Sequence, residues 1–229
     1  MAMPFRLIGL CLVLIAGHAA ANPTRVGNTQ AGASSLLKIY STADVEAIRP
    51  ALEAYASIRS DILIEYYELF SQDIFTRVEA EIDSTADFVW SSAMDLQMKL
   101  VNDGYARPVN VVQGRLPDWA LWRNEAFAVS VEPAVMVYNR NIIADEVVPR
   151  NRAELVAWLE NSPEAFGAVG TYDIERSGLG LLLAARDAQR SSDFWRLISA
   201  MGHNQVDLFS SSSALIERVV DGRLGLAYN

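Results

Sequence analysis

At several points in this chain an apolar run ends in hydroxyl residues just before a helical pattern begins. These points are Ser41-Thr42, Ser71, Ser91-Ser92, Ser177-Gly178 and Ser211-Ser212. The first turn of a helix leaves N–H groups unpaired and carries a partial positive charge. A serine or threonine there adds a hydroxyl beside those donors. Several such corners aimed at one cleft make an anion site that needs few basic side chains. Arg176, next to one corner, adds a fork of donors suited to a carboxylate or phosphate. Tyr172 and Trp90 offer aromatic faces that pack either on a ligand or in a core. Each corner, taken alone, is also an ordinary helix cap; their recurrence is what points to a site.

Catalytic chemistry has little to work with. A serine nucleophile needs a base within hydrogen-bond reach. The chain has two histidines, His18 and His203. His203 lies in Met201-Gly202-His203-Asn204, an expected helix end, where the helix dipole favours an imidazole. The chain has one cysteine, Cys11. Cys11 and His18 both fall in a leader-like N-terminus, so the processed chain would hold neither a thiolate zinc site nor a histidine-based one. The reading therefore assigns no catalytic residue and no cofactor, and leaves metal ligands open.

The leader reading rests on Arg6, the apolar run Leu7 to Ala16, and small residues at Ala19-Ala20-Ala21. The run is too short to span a bilayer comfortably. Cleavage after Ala21 and export to the periplasm are expected. The formal net charge is −9 over 229 residues, which argues against nucleic acid, whose binders need a basic face.

The corners must be positioned by strands and helices in alternation. Residues 22–35 are polar and rich in small residues and read as a disordered lead-in. Strands are expected at 36–40, 62–67 and 88–90, each followed by a helix. Pro50 falls inside the first helical pattern, where it can bend the helix. Ser91 or Ser92 is expected to cap the helix that runs to about Asn102. This βαβαβα order implies a mainly parallel sheet. An irregular segment with Trp119 and Trp122 follows, then strands at 127–131 and 134–138 around Glu132-Pro133. A second series then reads as a helix from 152, a strand at 166–171, a helix after Ser177-Gly178, a helix after Ser191-Ser192-Asp193, a strand at 205–209, a helix after the serine run, and a last strand at 223–228. The expected organisation is a leader over 1–21, a first lobe over 36–127 and a second over 128–229. The hinge crossing falls near 124–137.

The ordered set of pieces resembles the type II periplasmic solute-binding proteins of ABC transporters, in the branch that includes ferric-ion and phosphorylated-compound binders. The residues that carry the resemblance are Leu37-Lys38-Ile39-Tyr40-Ser41, Ala86-Asp87-Phe88-Val89-Trp90-Ser91-Ser92, Val135-Met136-Val137-Tyr138-Asn139, and Phe209-Ser210-Ser211-Ser212-Ser213-Ala214 with the strand ending at Tyr228. The family chain continues past this last strand and returns to the first lobe. The resemblance thus implies an α/β fold of two hinged lobes with the first lobe incomplete. Many ferric binders carry adjacent tyrosines after the last strand, where this chain has Tyr228-Asn229.

By resemblance the expected function is capture of a small anionic solute: an organic phosphate, a carboxylate, or iron with a co-bound anion. The expected partner is an inner-membrane ABC permease, and the expected state a monomer. Expected ligand contacts are the five corners with Tyr172, Arg176 and Tyr228. For bare Fe³⁺ the available ligands would be Tyr228, Tyr172 and Glu132. A sensory subunit reporting to a membrane kinase is an alternative, and a serine hydrolase a weaker one.

Overall fold

The computed structural model describes residues 22–27, 33–80, 86–110 and 116–228. The expected leader lies outside the described residues.

Two four-stranded sheets carry the structure. The first has the order β1-β3-β2-β4, formed by β1 (Thr24–Gly27), β2 (Ser35–Ser41), β3 (Ile62–Glu68) and β4 (Phe88–Trp90). β2 pairs in parallel with β3 and with β4, and β1 closes the far edge antiparallel to β3. The registers Ser41↔Glu68 and Ser41↔Trp90 bring the carboxyl ends of these parallel strands level. Side chains alternate across the sheet as pleating requires. Ile39, Ile62, Ile64 and Tyr66 pack under α1 (Val45–Ile58), while Tyr40 packs with Ile74, Phe75 and Val78 of α2 (Ser71–Glu79) and Leu100 of α3 (Met94–Asn102).

The second sheet has the order β7-β10-β8-β9, formed by β7 (Val137–Tyr138), β8 (Val169–Tyr172), β9 (Asp207–Phe209) and β10 (Leu226–Ala227). β8 pairs in parallel with β9 and β10. One face packs α4 (Arg152–Asn161) and α6 (Phe194–His203) through Leu155, Val156, Leu159, Leu197 and Met201. The other packs α7 (Ser212–Val220) through Leu215 and Val219. Burying each such aliphatic side chain contributes about 1.5–3 kcal/mol. Helix α5 (Gly178–Arg190) leaves the carboxyl end of β8 and touches α2, α3 and α6.

In both sheets the chain leaves the middle strand, pairs on one side, then returns to pair on the other: β3 then β4 about β2, and β9 then β10 about β8. That reversal opens a crevice at the carboxyl ends of the middle strands, the usual ligand position in open α/β sheets.

Several expectations change. The lead-in is not wholly unstructured: Thr24–Gly27 forms β1, where Arg25 pairs with Glu65 of β3 across the sheet, with Arg25 Nη2 2.7 Å from Glu65 Oε1. Local composition carries no trace of that tertiary pairing. The strands expected at 127–131 and 134–138 shrink to β6 (Ala126–Phe127) and β7, with 128–136 outside any strand. β6 pairs with β5 (Leu121–Trp122) as a small separate hairpin. The strand expected at 223–228 is regular only over β10. Helix α1 runs through Pro50 without interruption.

Candidate functional site

The first lobe's corners are built by short hydrogen bonds that shape the backbone. Ser41, fully buried at the end of β2, accepts the amide of Ala43 at 3.1 Å. Thr42 donates its amide to the carbonyl of Trp90 at 3.0 Å, and its hydroxyl accepts the amide of Ser92 at 3.2 Å. The corners after β2 and β4 are thereby stitched together. Tyr66 donates its hydroxyl to the carbonyl of Ala43 at 2.6 Å and holds the same corner from beneath. Burial pushes the Tyr66 phenol above its ordinary pKa.

Ser91 and Ser92 do not cap α3. The cap position is Ala93, and Ser91 Oγ accepts the amide of Ala93 at 3.2 Å. The serine turns the chain one residue before the helix and does not satisfy its first turn. Ser71 does not cap α2 either, because it is that helix's first residue and Phe70 holds the cap position. Its buried hydroxyl instead accepts the amide of Gly178, the first residue of α5, at 2.7 Å.

The second lobe's corners follow the expectation more closely. Ser177 caps α5 by accepting the amide of Gly180 at 3.1 Å, and Ser211 caps α7 by accepting the amide of Ala214 at 3.2 Å. Tyr172, buried at the end of β8, shares a 2.6 Å hydrogen bond with Ser212. Arg176 is exposed and lies over the ring of Phe70 with 4.8 Å from Cζ to the centroid. Ser213 donates to the carboxylate of Asp44, which stands at the start of α1.

Corners after β2 and β3 thus meet corners after β8 and β9, through Asp44–Ser213, Ser71–Gly178 and Phe70–Arg176. The carboxyl ends of the two sheets face one another. Of the sequence-predicted residues, Ser41, Thr42, Ser91 and Ser92 gather on one side. Tyr172, Arg176, Ser177, Gly178, Ser211 and Ser212 gather on the other, and Ser71 reaches across. Asp44 and Phe70 were not expected at this junction.

Tyr228 is placed elsewhere. It belongs to the buried cluster with Leu155, Trp158 and Leu226. Its hydroxyl donates to Asp187 at 2.6 Å and accepts from Arg152 Nε at 2.7 Å. Burial, with the Asp187 hydrogen bond adding to it, pushes its pKa up to about 12. In this structure the phenol is neutral and already partnered by Asp187 and Arg152. Glu132 is exposed and accepts from Ser130 at 2.9 Å. Tyr172, Tyr228 and Glu132 thus have three different partners. Among the described residues no group of three or more His, Cys, Asp or Glu is arranged to hold a metal ion. His203 is exposed at the end of α6, its Nδ1 2.7 Å from the Ser199 carbonyl oxygen.

No family model matches the chain, and no curated protein does. Solved structures do. The substrate-binding protein of an ABC transporter from Agrobacterium tumefaciens is 42% identical with a TM-score of 0.86, over 93% of this chain and 64% of that one. The fold is that of a type II periplasmic binding protein. Iron-bound HitA from Pseudomonas aeruginosa shares it at 14% identity and a TM-score of 0.68, over 84% of this chain and 62% of that one. The periplasmic binding protein AfuA from Actinobacillus pleuropneumoniae, with fructose-6-phosphate bound, shares it at 17% identity and a TM-score of 0.62, over 86% of this chain and 64% of that one. The chain therefore spans somewhat less than two thirds of the length of each of these relatives.

Proposed function

We propose that this chain is the solute-capturing part of an ABC-transporter substrate-binding protein, exported to the periplasm, whose two lobes close over a small anion. The observation that carries the reading is the apposition of hydroxyl corners from both sheets, with the first turns of α5 and α7 opening onto it. Helix N-termini favour negative charge and supply N–H donors without a permanent cation. An overall charge of −9 does not oppose this, because a local field can differ in sign from the net charge.

The proposed lobes are 36–127, to which β1 adds an edge strand, and 128–229; the two sheets share no strand. Contacts from both lobes let a ligand stabilise the closed form, because closure alone brings all donors within reach. Thr42, Ser91, Ser92, Tyr172 and Ser212 are the proposed side-chain contacts, with Arg176 at the rim. Tyr228 is left out for the reasons of burial and partnering given above. A permease of the inner membrane is the proposed partner, and the binding unit is a monomer.

The relatives of this fold include an iron binder and a sugar-phosphate binder. The hydroxyl and amide donors here match phosphate or carboxylate oxygens, and bare Fe³⁺ would meet donors where it needs anionic ligands. Calorimetric titration with inorganic phosphate, fructose-6-phosphate, citrate and ferric citrate tests the reading. Saturable binding of at least one anion is expected. Tight binding of a neutral sugar or a cationic amino acid, with no response to any anion, would overturn it.

A further inference from the structure

Asp44 and Ser213 are separated by 169 positions in sequence and joined by a hydrogen bond. Asp44 occupies the cap position of α1, yet its side chain makes no cap bond there. The first turn of α1 is served instead by Glu68, whose Oε2 accepts the amide of Val45 at 3.0 Å. The Asp44 carboxylate is thereby released from its local duty and points to the other lobe. It meets Ser213, the second residue of α7, where the helix field favours an anion. Ser211 is occupied with the amide of Ala214 and Ser212 with Tyr172. The remaining hydroxyl of this turn is the one that Asp44 takes.

We propose that Asp44 and Ser213 form an interlobe latch that holds the lobes together without ligand, and that an anion entering the cleft takes the place of the Asp44 carboxylate. The inference rests on the reading of this cleft as an anion site. Asp44 is then an internal competitor. It presents to α7 the same chemistry as a carboxylate or phosphate oxygen, and it must withdraw before the solute can occupy that turn. Ser71–Gly178 and Phe70–Arg176 lie at the same junction but use no carboxylate, so they can persist when solute replaces Asp44. The latch also sets selectivity. A weak anion that cannot displace Asp44 leaves the closed, empty form in place, and a strong one gains both the helix terminus and the closed geometry. A ligand's apparent affinity is reduced by the fraction of protein that is not competent to bind it.

The test separates the latch from the binding reading. In a Cys11→Ser background, labels at Glu53→Cys on α1 and Gln189→Cys on α5 report the distance between lobes. Without ligand, Asp44→Ala and Ser213→Ala should each lengthen that distance or broaden its distribution. An unchanged distribution in both overturns the latch. Titration with inorganic phosphate and citrate then reads the competition. Asp44→Ala should bind the responsive anion roughly fivefold more tightly than the parent. Equal or weaker binding overturns the competition, because Asp44 would then contribute nothing or contact the solute itself. If neither protein binds any anion, the competition and the anion reading fall together, while the label distances still decide the latch.

Discussion

The amide of Gly178 donates to the hydroxyl of Ser71 at 2.7 Å, across 107 positions of sequence, so the first turn of one lobe's helix is satisfied by a side chain of the other. The approach is possible because residue 178 has no side chain. A Cβ there would lie 2.8 Å from Ser71 Oγ, 3.0 Å from Leu96 Cδ1 and 3.1 Å from Ala93 Cβ.

Gly178→Ala should therefore force the junction apart. The expected cost is about 1–3 kcal/mol, the range for overpacking a tight site. Ser71→Ala leaves the Gly178 amide without its acceptor at a cost of about 1 kcal/mol. Urea denaturation reads both. Equal stability of parent and Gly178→Ala would show that the lobes separate without penalty.

Tyr228, Asp187 and Arg152 brace the end of β10 against α5 and α4. Tyr228→Phe should cost about 1–2 kcal/mol by removing hydrogen bonds to charged groups. Asp187→Ala should cost more, because it strips the guanidinium of Arg152 and the phenol of their shared acceptor. Thermal melts that rank the two variants in the opposite order would contradict this account.

The same phenol predicts an alkaline weakness. Its folded pKa of about 12 lies above the ordinary tyrosine value of about 10. The neutral form is favoured by folding, so its contribution is complete below about pH 10 and is lost as pH rises towards 12. Denaturation midpoints should fall across that window, and Tyr228→Phe should show a shallower fall. Parallel curves for the two proteins would refute the assignment.

At the acid end, Glu65 is held below its ordinary pKa chiefly by its hydrogen bond to Arg25, with Tyr67 assisting against the cost of burial. Its contribution is present above about pH 4.5 and is lost as pH falls through the lowered value. Arg25 is 60% exposed, so the pair contributes less than about 1 kcal/mol. Arg25→Met should flatten the stability profile below pH 4.5 and loosen β1, measured as faster amide exchange at Val26. Unchanged exchange would separate the salt bridge from the strand.

Ser212→Ala, assayed with whichever anion binds the parent, should weaken affinity by about 0.5–1.5 kcal/mol, the worth of one neutral hydrogen bond. Calorimetry reads the change. A loss of all binding would mean that the hydroxyl positions Tyr172 through their 2.6 Å bond and does more than touch the solute.

The parallel strands were legible as short apolar runs, and β2, β4 and β9 also because each ends at serines or threonines. The strand at 88–90 and the helices opening at 152 and 178 fall where periodicity and caps place them. The stretch from Val129 to Val135 misled, since it is apolar and β-branched like a buried strand. Val129, Val131 and Val135 are instead exposed, and no strand pairs with them among the described residues. β1 escaped notice because a polar four-residue strand owes its order to the neighbour it pairs with. At the site, the hydroxyl corners were legible singly, but which corner meets which is tertiary information. Asp44 sits in a position that reads as a local cap, and nothing nearby in sequence shows that Glu68 supplies that service. Tyr228 looked available because it ends a strand. Its inward face and its bond to Asp187 appear only once α5 is packed.

Helix α5 begins with glycine at both of its crowded positions, since a Cβ on Gly180 would also lie 2.4 Å from Tyr172 Cβ. Whatever the cleft accepts, α5 can present only main chain at positions 178 and 180. Anyone redesigning the specificity of this protein would therefore find two fixed positions beside several adjustable ones. A saturation library at 178 and 180 should return glycine almost alone, while libraries at 42, 91, 92 and 212 should return many folded variants. New ligand preferences would then be written in the hydroxyl corners of the first lobe and of α7, around an α5 terminus that does not change.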